Sequence, residues 1–283
     1  MQLSGSNYGM PNLSLDEALA FHAEVGFRAM ELTVLPGYAT ALESFPTGER
    51  RRVRELFQRY GIVCSGVANF QSLIDLDPAT AEPILARHRA AVDLASDLTL
   101  EAMPPPVVVF YSGGQIADWP AARDLLVGRI AALADYARSR GVVLAMKAHA
   151  LGCVHRPHHL VDLFEQVGSP SFRFCFDMSH YEVQGLSIEQ AMYPLLALSV
   201  HAEVKASIGW APNQEYLIPG EPNAQSDFLG QFTAMRKLGY RGYLVPEMSV
   251  HVMRRPTYDQ YAALRLSYRA LTDVLGIVGT ASG

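Results

Sequence analysis

Short apolar runs alternate with longer segments of helical periodicity along the whole chain, and this alternation restricts the fold more than any other feature. Repeated strand–helix pairs are typical of βαβ units and a parallel sheet. The sequence predicts eight strands, at residues 2–6, 27–33, 62–68, 107–111, 142–146, 172–176, 198–204 and 242–246. The predicted helices start after Ser14, an expected N-cap with Glu17 as its capping-box partner, and then cover residues 47–60, 78–96, 119–140, 157–167, 188–195, 224–238 and 258–276.

No linker rich in Gly, Ser or charge separates these eight pairs, so residues 1–283 are predicted to form a single domain. The strands are continuous apolar runs, as expected when both faces of a sheet are covered. Together these features predict one closed (β/α)₈ barrel, the TIM barrel. The alternative is an open doubly wound sheet. No G-x-G-x-x-G follows the first strand and no G-x-x-x-x-G-K-[ST] occurs, which disfavours that sheet and predicts no nucleotide cofactor.

Charge and composition restrict the partners. The formal charge of -5 and the lack of a long Lys/Arg run argue against nucleic acid, since phosphate binding requires clustered cations. The apolar runs are too short to cross a bilayer, and the first residues lack a basic-then-apolar signal pattern. We therefore expect a cytoplasmic protein that binds a small sugar-like molecule and no membrane. The sequence is compatible with a homo-oligomer.

Titratable side chains follow four neighbouring predicted strands, at the ends where TIM barrels build their active sites. A carboxylate after a strand often just caps the next helix, but several at equivalent strand ends indicate a shared cavity. Like charges so close need a cation among them, either a divalent metal or Lys147. The side chains are Lys147 and His149 after the fifth strand, Asp177 and His180 after the sixth, His201, Glu203 and Lys205 at alternate positions of the seventh, and Glu247 after the eighth.

These strand ends resemble those of the xylose-isomerase-like superfamily, which includes ketose epimerases, hydroxypyruvate isomerases and inosose dehydratases. Its members typically carry L-A-x-E-x-H, D-x-x-H, H-x-K-D and a final Glu at the ends of strands five to eight. The corresponding segments here are residues 144–149, 177–180, 203–206 and Glu247. Residues 216–221 are similar to the family's P-G-E-G loop. The resemblance covers nearly the whole chain and implies a TIM barrel that isomerises or epimerises sugars with one divalent ion.

Two of the four metal ligands that the resemblance implies are altered. Lys147 stands where the family has Glu, and Glu203 stands where it has His. The remaining set of Asp177, Glu203 and Glu247 is oxygen-only, which favours Mg²⁺ or Mn²⁺ over Zn²⁺. A protonated ammonium cannot bind a metal, so the alternative is that Lys147 fills the site as a counter-charge among the carboxylates.

The resemblance implies proton transfer next to the carbonyl of a sugar, cyclitol or other polyol. We assign Glu247 as the general base, Lys147 as an acid or an electrostatic stabiliser of the enediolate, and His180 to the same catalytic set. With one base, isomerisation or elimination of water, the reaction of a lyase or dehydratase, is easier to support than two-base epimerisation. A Schiff base on Lys147 is a further alternative, and so is a non-catalytic member of the family that only binds a metabolite.

The predicted substrate-binding residues are polar or aromatic groups at or after strand ends. Aromatic rings there can stack on a sugar face, although core or lid packing is the commoner role. A guanidinium after the last strand suits an anionic group of a substrate. The predicted set is His149, His201, Tyr111, Trp210, Glu221 and Arg255.

Overall fold

The computed structural model describes residues 1–74, 78–101 and 103–280, and its centre is a parallel sheet closed into a barrel. The predicted TIM barrel is confirmed. Strands β1 to β11 are Gln2–Leu3, Gly5–Ser6, Ala29–Thr33, Val63–Ala68, Val107–Tyr111, Leu144–Lys147, Phe172–Phe176, Ser199–Val204, Ala206–Ile208, Glu215–Leu217 and Tyr243–Pro246. All except β9 and β10 belong to the barrel.

The barrel closes through its first strand, which is divided into two short pieces. β1 pairs in parallel with β11, and β2 pairs in parallel with β3. Between them, the Ser4 amide donates to the Leu244 carbonyl at 3.0 Å, and the Ser4 hydroxyl lies 2.7 Å from that of Ser65. The two pieces therefore act as one barrel strand, and eight strand positions surround the axis.

Helices surround the barrel in the predicted order. Ser14 and Glu17 form the predicted capping box, and Gly26 ends the first helix with a φ of 116°. Helices α1 to α10 are Leu15–Val25, Arg50–Arg59, Pro78–Asp97, Trp119–Ser139, Pro157–Val167, Met178–Glu182, Ile188–Met192, Phe228–Lys237, Val250–Met253 and Gln260–Thr280. In the described ranges of the chain, no helix is long and apolar enough to span a membrane.

Several boundaries differ from the predicted ones. β6 begins two residues later than expected and ends at Lys147, so this lysine is paired with Cys175 inside the sheet. Residues 47–49 form a 3₁₀ turn ahead of α2. α8 begins at Phe228, because the Asp227 carboxylate accepts from the Gly230 amide and starts the helix there. The short helices α6 and α9 and the hairpin β9–β10 are not predicted by the sequence pattern.

The core lies inside the barrel and between the barrel and its helices. Every residue of β3 is buried, as are Phe172 and Phe174 of β7, in accord with a sheet covered on both faces. The hairpin β9–β10 follows β8 directly, at the carboxyl end of the barrel. It brings Tyr216 over the barrel opening, where the side chain is 4% exposed.

Candidate active site

Four charged side chains meet at the carboxyl ends of adjacent barrel strands. Lys147 ends β6, Asp177 follows β7, Lys205 follows β8 and Glu247 follows β11. These strands are neighbours in the sheet, in the order β11, β8, β7 and β6. The convergence expected from the sequence is therefore present in the structure.

Lys147 donates to two carboxylates. Its ammonium forms an ion pair with Glu203 and lies 2.7 Å from Oε2 of Glu247. Burial alone would lower the pKa of Lys147, but Glu203, Glu247 and Asp177 outweigh burial and raise it well above its usual range. A lysine held protonated in this way is not a nucleophile, which argues against a Schiff base. The ammonium also lies 4.6 Å from the centre of the Phe70 ring.

Lys205 contacts three groups on the other side of Glu247. Its ammonium pairs with Asp177 and lies 2.7 Å from Glu247 Oε2 and 3.1 Å from His180 Nε2. Burial opposes the charge, yet Asp177 and Glu247 raise the pKa of Lys205. The sequence predicts Lys205 on the same side of the seventh strand as Glu203, and Lys205 matches the lysine of the family's H-x-K-D segment, but neither signal indicates its role.

Asp177 serves both as a helix cap and as an ion-pair partner. Its Oδ1 accepts from the Ser179 amide at 3.1 Å and from the Ser179 hydroxyl at 2.6 Å, which starts α6. Its other oxygen, Oδ2, accepts from Lys205. The cap fixes the carboxylate, so the structural role and the site role depend on the same side chain.

The two glutamates differ in their protonation tendency. Burial raises the pKa of Glu203 well above its usual value, opposed by Lys147 and assisted by Glu247 and Glu31. For Glu247, burial is outweighed by Lys147 and Lys205, which hold its pKa well below the usual range. Both ammonium groups contact Oε2 of Glu247, so Oε1 is the oxygen that neither lysine engages.

Two neutral imidazoles lie beside the lysines. Burial, Lys205 and Lys147 lower the pKa of His149 to about 4, and burial, Lys205 and His149 lower the pKa of His180 well below its usual value. Their ring centres are 4.3 Å apart. His180 Nδ1 lies 2.8 Å from the Tyr216 hydroxyl, which ties α6 to the hairpin β9–β10.

A cavity of about 450 Å³ opens over these groups. The cavity is lined by charged groups, which include Lys147, Lys205 and Glu247, and by aromatic rings, which include Tyr8 and Phe70. Tyr8 and Phe70 make an edge contact at 5.6 Å between ring centres. Five predicted site residues are among the described residues that line the cavity, namely Tyr111, Lys147, His149, His180 and Glu247. Asp177 and Glu203 are buried beneath it, each 2% exposed.

Four predicted substrate-binding residues lie outside the cavity wall, so their predicted contact with substrate finds no support in this arrangement. His201 is completely buried one layer deeper in the barrel, 3.0 Å from Glu31 Oε2. Trp210 is 61% exposed at the surface. Arg255 Nη1 pairs with Glu221 Oε1 at 2.7 Å, so the two charges satisfy each other.

The metal site implied by the resemblance is only partly retained. Asp177, His180 and Glu247 each offer one ligand atom, and these atoms lie within 4.8 Å of one another. However, the Lys205 ammonium contacts all three groups, and Glu203 is paired with Lys147 instead of with them. A protonated amine is not a ligand and repels a second cation. In this arrangement the residues do not fit the divalent ion.

The chain matches the model of the xylose isomerase-like TIM barrel over residues 19–267. No curated protein matches it. Among solved structures, the IOLI protein with a bound zinc atom is 16% identical with a TM-score of 0.79, and the alignment covers 98% of this chain and 99% of that one. The 3-keto-D-glucoside 4-epimerase YcjR from E. coli is 14% identical with a TM-score of 0.75, and 99% of each chain is covered.

A xylose isomerase-like TIM barrel protein from Mycobacterium smegmatis, in complex with magnesium, is 15% identical with a TM-score of 0.73. That alignment covers 98% of this chain and 97% of the other. At these sequence identities the similarity to solved structures shows a shared fold. The family model matches most of the chain in sequence. The protein therefore belongs to the xylose isomerase-like TIM barrel family.

Proposed function

We propose that the protein is an enzyme that moves a proton next to the carbonyl of a sugar, cyclitol or similar polyol, as sugar isomerases and epimerases do. The observation that carries the proposal is a carboxylate flanked by two ammonium groups on the wall of an open cavity. Removing a proton beside a carbonyl needs a base and a positive group that stabilises the enediolate. The fold shared with a 3-keto-D-glucoside 4-epimerase supports the same class of reaction.

The shape of the cavity suits a small polyol. Its volume of about 450 Å³ lies in the lower part of the ~300–1,000 Å³ range of small-molecule sites. Tyr8, Phe70 and Tyr111 form one wall, and Phe70 makes edge contacts with both tyrosines. The C–H face of a sugar ring packs against aromatic rings, while its hydroxyls and carbonyl suit the charged groups that line the same cavity.

In the proposed mechanism, Glu247 accepts the proton from the carbon beside the carbonyl and returns it to the former carbonyl carbon, while the hydroxyl proton passes from one enediolate oxygen to the other. The low pKa of Glu247 keeps the carboxylate ionised but makes it a weak base. The enediolate must therefore be stabilised strongly, and Lys147 and Lys205 supply the positive charge for the developing oxyanion. His180, fixed by Tyr216, positions Lys205.

One base favours isomerisation over two-base epimerisation. Glu247 is the one carboxylate on the cavity wall within the part of the chain that the structure describes. A base on a single face can return the proton only to that face, which gives aldose–ketose isomerisation. The ammonium of Lys147 lines the same cavity and can protonate a leaving hydroxyl, so elimination of water is the second candidate reaction.

Proton exchange with solvent tests the proposal even while the substrate is unidentified. We expect a sugar or keto-cyclitol from a panel in D₂O to lose the NMR signal of the C–H beside its carbonyl. The Glu247→Gln variant should exchange about 10²–10⁴-fold more slowly, the usual contribution of a general base. The matched control is Glu165→Gln on the exposed face of α5, which should exchange at the wild-type rate.

The products separate the remaining reactions. An isomer points to isomerisation, and an α,β-unsaturated ketone with its ultraviolet absorption points to elimination. Binding of a panel sugar with no exchange at any carbon would contradict the proposal and favour a protein that only holds its ligand.

A further inference from the structure

The residues at the two altered ligand positions form an ion pair with each other. Lys147, where the family carries Glu, forms its ion pair with Glu203, where the family carries His. Both side chains are almost fully buried, with side-chain exposures of 5% and 0%. A buried charge is costly unless it is paired, so neither replacement would be tolerated well without the other. The two departures from the family pattern therefore act as one coordinated change.

A second ammonium lies where the remaining ligands would hold an ion. Lys205 Nζ is 2.7 Å from Glu247 Oε2 and 3.1 Å from His180 Nε2, and it also pairs with Asp177. Metal–ligand bonds from these types of atom are about 2.0–2.2 Å long. An ion bound by the three groups would overlap the ammonium in this position, so Lys205 would have to move aside before an ion could bind there.

The two lysines together contact every carboxylate of the site. Lys205 matches a lysine of the family pattern and Lys147 does not, so the ammonium that this chain adds is that of Lys147. Both ammonium groups contact a single oxygen, Oε2 of Glu247, at 2.7 Å. Lys147 reaches Glu203 on one side and Lys205 reaches Asp177 on the other. Every carboxylate of the site thus has a cation without any metal.

We propose that this protein works without a divalent metal, and that the ammonium of Lys147, which stands where the family has a ligand, takes the role of the ion beside Lys205, a lysine that the family pattern also contains. The two ammonium groups hold Asp177, Glu203 and Glu247 in place and present positive charge to the substrate oxygen. The statement about metal stands on the contacts alone. The statement about the substrate oxygen rests on the proposed function.

Metal binding by the purified wild-type protein is the first test. We expect elemental analysis of protein purified without chelator to find far less than one ion per chain. Titration with Mn²⁺ or Zn²⁺ should give neither binding heat nor a rise in Tm, and EDTA should leave Tm unchanged. One tightly bound ion per chain, or a rise in Tm with Mn²⁺ that is lost in Glu247→Gln, would overturn the proposal.

Reversal of the coordinated change is the second test. The double variant Lys147→Glu/Glu203→His restores the ligand types that the family carries at both positions, with Asp177 and Glu247 unchanged. We expect it to gain stoichiometric Mn²⁺ or Zn²⁺ binding and a Tm that rises with the metal. Glu203→His alone keeps Lys147 and should gain neither. If the double variant folds and the metal leaves both readouts unchanged, the assignment of Lys147 to the role of an ion fails.

These readouts do not depend on turnover. A metal-free protein with no detectable proton exchange would refute the proposed function and leave the metal statement intact. Exchange that disappears with EDTA and returns with Mn²⁺ would support the proposed function and overturn the replacement of the ion by Lys147.

Discussion

Among the charged side chains described in the site, Glu203 is the one with a single ion-pair partner, Lys147. It is 2% exposed, its Oε2 contacts Lys147, and its Oε1 has no hydrogen-bond partner among the described residues. Burial raises its pKa, and Lys147 is the main opposing influence. A carboxylate in this position is tolerated because the ammonium is present, not because the pair adds much stability.

A double-mutant cycle on Lys147 and Glu203 tests this dependence. Lys147→Gln leaves buried carboxylates without their cation and should lower the free energy of unfolding by about 3–5 kcal/mol. Addition of Glu203→Gln removes one of those charges, so the double variant should be more stable than Lys147→Gln alone. Urea unfolding of the four proteins at neutral pH measures the coupling. If the two single effects were simply additive, Glu203 would not depend on Lys147.

At the level of elements, the ion pairs of one arginine help to hold the hairpin β9–β10 over the cavity. Arg255, just after α9, pairs with Glu221 at 2.7 Å and with Glu215 at 3.0 Å. Within the hairpin, the Tyr216 amide lies 3.3 Å from His251 Nδ1, and the Tyr216 hydroxyl contacts His180. Arg255 therefore positions a wall of the cavity without lining it.

Arg255→Gln should loosen the hairpin and leave the barrel intact. The pairs are partly exposed, so their loss costs roughly 1 kcal/mol or less. The lost pairs stabilise the hairpin against local opening and contribute little to global stability. Amide hydrogen exchange over residues 206–221 should therefore accelerate up to about fivefold, while the urea midpoint changes little. Arg265→Gln breaks a comparable pair with Glu24 on the outside of the molecule and should leave exchange in the hairpin unchanged. Equal exchange in Arg255→Gln and wild type would refute this role.

The elements that the sequence predicts well are those whose pattern is local. The strands at Val107–Tyr111 and Phe172–Phe176 and the helix at Pro157–Val167 have their predicted limits, because apolar runs and a proline at the first helical turn define them. The hairpin strands are three residues each and lack a distinctive pattern. They form through contacts with α9 and α6, which are distant in sequence, so local propensity could not reveal them.

In the site, too, local sequence patterns reveal some features, and others depend on contacts between distant parts of the chain. Strand ends placed Lys147, His149, Asp177, His180 and Glu247 at one opening, because parallel strands of a barrel share their carboxyl end. Whether a side chain faces the cavity depends on how deep it lies in the barrel and on which groups it pairs with. Neither can be read from the sequence. His201 alternates with Glu203 and points inward, yet it lies one layer too deep. Arg255 lies near the opening but is paired with carboxylates of the hairpin.

For the whole molecule, buried neutral histidines predict how stability depends on pH. Burial lowers the pKa of His22 and of His88 from 6.5 to about 4. Below pH 6.5 the unfolded chain binds protons at these positions, whereas the folded protein does not until the pH approaches 4. The stability present above pH 6.5 is therefore lost as the pH falls toward 4, and each histidine contributes at most about 1.4 kcal/mol per pH unit.

His88→Gln isolates one of these contributions. His88 Nδ1 lies 3.1 Å from the Asn69 amide nitrogen, and a glutamine oxygen can accept the same hydrogen bond. His88 is 1% exposed and does not line the cavity, so the substitution removes a buried titrating group away from the charged wall. Urea unfolding between about pH 7 and pH 5 should give a slope of stability against pH that is shallower in the variant by up to one proton. Gln166 is exposed on α5 and carries no titrating group, so a Gln166→Ala variant should retain the wild-type slope. If the His88→Gln slope also equals that of the wild type, His88 is protonated equally in both states and its burial does not govern acid stability.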